Sequence, residues 1–176
     1  MRALIEAAWF AAERHRGQRR KDVAGTPYLY HPLGVAEILV RAGGVEDLVV
    51  LQAALLHDVL EDTETSGAEL AGLFGDEVCG LVVELTDDMS LPVGVRRRVQ
   101  LERVAGLSVG AKLVRVADKI YNVRDLSGVD PLGWSVAQKA DYLEWAVDVV
   151  EACGGVNAGL EREFGCVLEA ARKCLG

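Results

Sequence analysis

The segment LLHDVLED, residues 55–62, sets His57 beside Asp58 and follows them with Glu61 and Asp62. All four side chains are acid–base or metal-ligating types, and they end a run, Ala53-Ala54-Leu55-Leu56, that is purely apolar. On one continuous helix turning about 100° per residue, His57, Glu61, Asp58 and Asp62 fall at about 0°, 40°, 100° and 140°, less than half the circumference. A solvated helix end would cluster carboxylates in the same way. It would not explain a His-Asp pair set directly against residues that seek a core. Burying a carboxylate there is unfavourable unless a partner compensates it, and a metal ion compensates an adjacent imidazole and carboxylate together. Glu61 and Asp62 would stand at the C-terminal end of this helix, where carboxylates oppose the dipole, so a functional reason for them is favoured.

Two more potential ligands lie elsewhere: His31 in YHP at the start of a helix, and Asp118 in LVRVADKIYN. Taken singly, His31 reads equally as a structural hydrogen-bonding group and Asp118 as a salt-bridge partner. Taken with His57 and Asp58, they make a mixed nitrogen and oxygen set that suits Mn²⁺, Fe²⁺ or Zn²⁺ better than an ion bound by oxygen alone. Four protein ligands on a six-coordinate ion leave room for water or a substrate oxygen, and such an ion polarises phosphoryl groups and lowers the pKa of water. Glu61 and Asp62 are then placed to orient or deprotonate that water.

The elements that must carry these residues are helical nearly throughout. Leu4, Ala7, Ala8 and Ala11 follow the spacing of an amphipathic helix. Gly17, Gly25 and Pro27 interrupt it and predict a structured loop over 17–30. Pro32 opens a second helix that runs to about Arg41 and ends at Gly43-Gly44. Residues 46–61 predict a third helix, broken in its apolar run only by Gln52 and therefore largely buried. Ser66, with Glu69 three residues on, predicts a capping box. Helices are expected at about 67–74, 76–86, 93–105, 111–126, 135–153 and 156–174, with a turn at Pro131 and Gly133. Neither β-hairpin nor Gly-rich phosphate loop is evident. The expected fold is all-α, a single helical bundle of about eight or nine helices in one domain spanning 1–176.

Composition narrows the function classes. A net charge of −8, from 19 basic and 27 acidic residues, argues against nucleic acid as a partner, which needs basic surface to release counterions. No apolar stretch is long enough for a membrane span, and no secretory signal opens the chain, so a cytoplasmic protein is expected. Cys79, Cys153, Cys166 and Cys174 form no CxxC pair and read as reduced thiols, mostly buried. Oligomeric state is left open.

The ordered set His31, His57-Asp58 and Asp118 matches the HD superfamily of metal-dependent phosphohydrolases. The blocks GQRRKDVAGTPYLYHP (17–32), ALLHDVLEDT (54–63), LTDDMSLP (85–92) and AKLVRVADKIYNVRDL (111–126) resemble the hydrolase domain of the RelA/SpoT family. GWS (133–135) and DYLEWAVDVV (141–150) resemble its stand-alone members, the small alarmone hydrolases with a metazoan branch. The likeness covers roughly residues 1–155. It implies the all-α HD bundle, and Mn²⁺ held by His31, His57, Asp58 and Asp118. It also implies water activation by Glu61 and Asp62, and release of pyrophosphate from the ribose 3′ position of (p)ppGpp to leave GDP or GTP. Val59 and Leu60 stand where relatives often carry Thr-Val, a change of packing. Two alternatives stay open: another HD phosphohydrolase, such as an NADPH 2′-phosphatase, and a nucleotide-binding regulator without turnover. All six ligand and acid residues are present, which weighs against the regulator.

Residues 14–21 hold five basic side chains, either a solvated cationic surface or a phosphate-binding one. The resemblance favours phosphate or base contact for Arg20 and Lys21 and says little for Arg14 or Arg16. Asn122 and Asp125 share a helix face with Asp118 at i+4 and i+7. The resemblance gives Asn122 the sugar or its phosphate; at Asp125 many relatives carry Thr. Tyr142 lines the same pocket by analogy, or is an ordinary core or surface tyrosine. Arg96, Arg97 and Arg98 form a solvated face or a second basic rim.

Overall fold

The computed structural model describes residues 1–128 and 133–176. The turn expected at Pro131 lies outside them. The described residues form nine helices of two turns or more and one single turn: α1 (Arg2–Arg14), α2 (Tyr30–Arg41), α3 (Leu48–Leu56), α4 (Val59–Asp62), α5 (Gly67–Phe74), α6 (Asp76–Leu85), α7 (Val93–Val104), α8 (Val109–Gly128), α9 (Val136–Ala152) and α10 (Ala158–Leu175). The sole β feature among them is an isolated antiparallel bridge, Arg19 to Pro27.

Helix α3 is apolar around its whole circumference because two cores meet on it. Val50, Leu51 and Ala54 join the cluster built with α2, α8, α9 and α10. Ala53, Leu55 and Leu56 join the one built with α1, α5 and α6. Gln52, the one polar residue, is buried and donates to the Ala3 carbonyl on α1 at 3.4 Å. Asp47 caps the helix, accepting from the Val49 and Val50 N–H groups at 2.8 and 3.3 Å.

The expected third helix does not run through to residue 61. It stops at Leu56, and His57 and Asp58 form a turn before α4. Asp58 has φ −98° and ψ −4°, outside regular helix geometry, and serves as the N-terminal flank of α4. His57, Asp58, Glu61 and Asp62 therefore do not share one continuous helix face, contrary to expectation. Nor do Glu61 and Asp62 oppose a helix dipole: they lie in the first turn of a new short helix, where carboxylates are not disfavoured.

Other local expectations fare variously. Ser66 does accept from the Glu69 N–H at 3.2 Å. The reciprocal half of the capping box is missing, because the Glu69 carboxylate pairs with Arg14. Ser135 and Gln138 form a complete capping box at α9. The four thiols are free, but only Cys79 and Cys153 are buried; Cys166 and Cys174 are exposed. Helix α10 buries Leu160, Phe164, Val167 and Ala171 within the α8 core, so it serves packing inside the chain.

Candidate active site

Three separated segments converge on one point. His31 comes from the first turn of α2, His57 and Asp58 from the break between α3 and α4, and Asp118 from the middle of α8. The His31 Nε2 atom lies 3.1 Å from His57 Nε2, 3.3 Å from Asp118 Oδ1 and 3.4 Å from Asp58 Oδ2. His57 Nε2 is 3.2 Å from the same Asp58 oxygen. The first turn of α2 can reach α8 because residue 34 is glycine. A methyl group there would overlap the Tyr121 ring, which packs edge-on against His31 with ring centroids 4.9 Å apart.

This arrangement fits a metal ion. Donor atoms bonded to one transition-metal ion at about 2.1 Å stand about 3 Å from their neighbours, which is the spacing found here. His57 Nδ1 lies 2.8 Å from the Ala54 carbonyl, so it carries the proton and leaves Nε2 as a lone-pair donor toward the cluster. His31 Nδ1 is buried without a hydrogen-bond partner, and its Nε2 faces His57 Nε2 and the two carboxylates, the donor set that a cation would complete. His31, His57 and Asp118 are all buried, and their ligand atoms all lie within 4.8 Å of one another.

Each carboxylate is held by neighbours, of which Tyr28 and Lys119 were not among the residues expected at the site and Asn122 was expected to meet the substrate. Tyr28 donates its hydroxyl to Asp58 Oδ2 at 2.6 Å. Lys119 donates to Asp118 Oδ2 at 3.0 Å and Asn122 to Asp118 Oδ1 at 2.7 Å. Lys119 is itself 3 % exposed, with its ammonium 4.2 Å from the centre of the Trp145 ring. Burial would raise the pKa of Asp118, but the Lys119 ammonium and the His31 ring override it and hold the carboxyl well below its ordinary range. Burial likewise opposes ionisation of Asp58, and His57 and His31 reverse it. Both acids are therefore anionic, as a cation site needs. A signal for Lys119 was present in the sequence: it is a second charge directly beside Asp118, between the apolar pairs Val116-Ala117 and Ile120-Tyr121.

Glu61 and Asp62 behave in the opposite way. Burial pushes the Glu61 carboxyl up to about 7, against the lowering effect of the Asp87 N–H, which donates to Oε2 at 3.0 Å. Burial and the Asp58 charge also raise Asp62. The Asp62 carbonyl accepts from Gln18 at 2.8 Å, and Gln18 in turn contacts the buried His15 ring at 2.7 Å.

A cavity of about 640 Å³, within the size range of small-molecule sites, lies beside this cluster, and His31, His57, Asp58 and Asp118 stand behind its wall. Its lining includes every candidate not assigned to the ion: Arg20, Lys21, Glu61, Asp62, Asn122, Asp125 and Tyr142. Tyr28 and Asn122 also line it, one hydrogen bond from the ligands Asp58 and Asp118. Arg20 pairs with Asp125, lies 3.4 Å from Asn122 Oδ1 and sits over the Tyr121 ring. Lys21 is exposed at the mouth. Tyr142 stands with Trp134 on the far wall, ring centroids 5.6 Å apart. Arg96, Arg97 and Arg98 do not line the cavity: Arg97 is bound to Asp141 at 2.7 Å and stacked against Trp145, and Arg98 lies 3.8 Å from Glu102. A wider groove of about 850 Å³ between α1 and α5, lined by Ile5, Trp9, Phe10, Leu73 and Phe74, carries none of these candidates.

Comparison with known proteins points the same way. The family described as HD domain matches residues 7–143. The guanosine-3′,5′-bis(diphosphate) 3′-pyrophosphohydrolase MESH1 of Homo sapiens is 54 % identical over 90 % of this chain and 88 % of its own. The protein of that name from Danio rerio is 50 % identical over 92 % of this chain and 89 % of its own. A solved structure described as a metazoan ortholog of SpoT that hydrolyzes ppGpp superposes with a TM-score of 0.91 at 44 % identity, covering 95 % of this chain and 94 % of that one.

Proposed function

Because the chain belongs to the HD-domain family, we propose that it hydrolyses the 3′-pyrophosphate of (p)ppGpp to give GDP or GTP and pyrophosphate. The observation that carries this reading is the meeting of buried His31, His57 and Asp118 with half-buried Asp58, His31 Nε2 lying 3.1 to 3.4 Å from a donor atom of each of the others, beside an acid pair on the wall of a nucleotide-sized cavity. We take residues 1–176 as one domain, since α3 belongs to both apolar clusters.

His31, His57, Asp58 and Asp118 would hold the ion, which we assign as Mn²⁺ on the mixed imidazole and carboxylate set. When bound, the ion supplies Lewis acidity toward a phosphoryl oxygen and makes water more acidic. Glu61 takes a proton from the attacking water; its other carboxylate oxygen is fixed by the Asp87 N–H. Asp62 orients that water. The water oxygen bonds to the phosphorus attached to O3′, the P–O3′ bond breaks, and the proton is delivered to the ribose oxygen. Water and ppGpp are thus balanced by GDP and pyrophosphate.

Arg20 and Lys21 bind the phosphates; Arg20 must exchange Asp125 for the substrate anion, and both are charged interactions of similar geometry. Asn122 reaches the sugar from one turn beyond Asp118. Tyr142 offers an aromatic face for the base.

A panel assay tests the reading. The protein is given ppGpp, pppGpp, NADPH and simple nucleotides with Mn²⁺, with and without chelator. Pyrophosphate released from the first two alone, and abolished by chelator, is the expected result. Phosphate from NADPH alone, or tight binding without any product, overturns it.

A further inference from the structure

We propose that Asp87 is a positioning residue for the hydrolysis, one that aims Glu61 through its backbone N–H and is itself fixed by Gln100 and Arg115. This inference rests on the reading of Glu61 as the base.

Helix α6 ends at Leu85, and the chain leaves it extended at Thr86, φ −72° and ψ 129°. The next amide, that of Asp87, is free of the helical ladder and donates to Glu61 Oε2 at 3.0 Å. A loop amide fixes a carboxylate only as well as the loop is fixed. Here two long side chains from two other helices hold it. Gln100 on α7 donates to Asp87 Oδ2 at 2.6 Å. Arg115 on α8 donates to the Leu85 carbonyl at 2.6 Å, and its guanidinium lies 3.9 Å from Asp87 Oδ1. Gln100 and Arg115 are 6 % and 7 % exposed, so both side chains are ordered and desolvated to grip three residues of chain.

Stability alone is a poor reason for this network. Gln100 Oε1 and Arg115 Nε are buried without a hydrogen-bond partner, and a partly satisfied buried network is inferior to an apolar core. Its one outlet is Glu61. With Oε2 held, rotation of the carboxylate is restricted while Glu61 lines the cavity. The N–H favours the ionised carboxylate while the Asp87 charge opposes it, so what Asp87 supplies to Glu61 is orientation. Asp87, Gln100 and Arg115 are absent from the cavity lining, so they act on the reaction through Glu61 and not by touching substrate.

The test is a set of kinetic measurements with ppGpp on the Mn²⁺-loaded protein. Asp87→Ala and Gln100→Leu are each made in the natural chain and in a Glu61→Gln background, and Asp87→Asn serves as the conservative variant. Asp87→Ala removes no core volume, so it keeps the test open should Gln100→Leu fail to fold. The expected result is a fall in kcat of about 10- to 100-fold for both, with KM and bound metal within about twofold. No further fall is expected on the Glu61→Gln background, and partial recovery is expected in Asp87→Asn, which still accepts from Gln100. Near-normal kcat in Asp87→Ala, a loss confined to KM, or the same factor of loss on the Glu61→Gln background overturns the proposal. Glu61→Gln keeping the natural rate would instead remove the base assignment itself.

Discussion

Asp118 and Glu61 are both withdrawn from water, yet their surroundings drive them apart. Asp118 faces the Lys119 ammonium and two histidines and stays ionised; Glu61 faces Asp58, Asp62 and Asp87 and is lifted to about 7. One carboxylate is built to hold a cation and the other to exchange a proton near neutral pH. Glu61→Gln is therefore expected to keep its metal and lose about 10²- to 10⁴-fold in kcat, read by steady-state kinetics beside metal analysis. The same carboxyl has a consequence for stability. Between its ordinary value of 4.5 and about 7, the folded protein binds a proton that the unfolded chain does not, so this group makes folding less favourable as pH rises through that window. Gln carries no charge at any pH. In metal-free protein, the Tm of Glu61→Gln minus that of the natural chain should grow more positive from pH 5 to pH 8; a constant difference would contradict this. At this scale the ligand types and their order were legible in the residues themselves. Tyr28 and Asp87 were not, since their partners lie 30 and 26 residues away and depend on tertiary placement.

Among the helices, the informative departure is the break at His57-Asp58. Nothing in LLHDVLED announces it, with neither proline nor glycine present, and an apolar period alone reads as one helix. Tertiary partners decide it: Tyr28 holds Asp58, and His57 folds back onto the Ala54 carbonyl. The break turns Asp58 toward His31 and moves the acid pair onto the cavity wall. Spacing did reveal the α8 face, because Asp118, Asn122 and Asp125 fall on consecutive turns of an unbroken helix. The distance between α2 and α8 rests on Gly34, under the Tyr121 ring. Gly34→Ala should force the two helices apart, lower stability by about 1–3 kcal/mol and weaken metal affinity, measured by denaturation and by metal titration. Unchanged metal affinity would show that this approach does not set the site. Loss of the α3 cap in Asp47→Ala should cost about 1 kcal/mol in denaturation with metal affinity retained, since the cap lies at the opposite end of α3 from His57.

Across the whole molecule, two apolar clusters share α3, and the ion site lies at its C-terminal end. The all-helical class and most helix limits were legible, because they follow from period and capping residues. The sharing of α3 was not, since an apolar helix does not reveal its neighbours. Helix α10 closes the larger cluster, and Phe164→Ala should cost about 3–5 kcal/mol in chemical denaturation. Everything chemical, however, depends on one ion being held jointly by α2, the α3–α4 break and α8. Anomalous diffraction at the manganese edge, from crystals grown with Mn²⁺, tests this most directly. One peak is expected about 2.2 Å from His31 Nε2, His57 Nε2, Asp58 Oδ2 and Asp118 Oδ1. Full occupancy at any other place, with this position empty, would contradict the account.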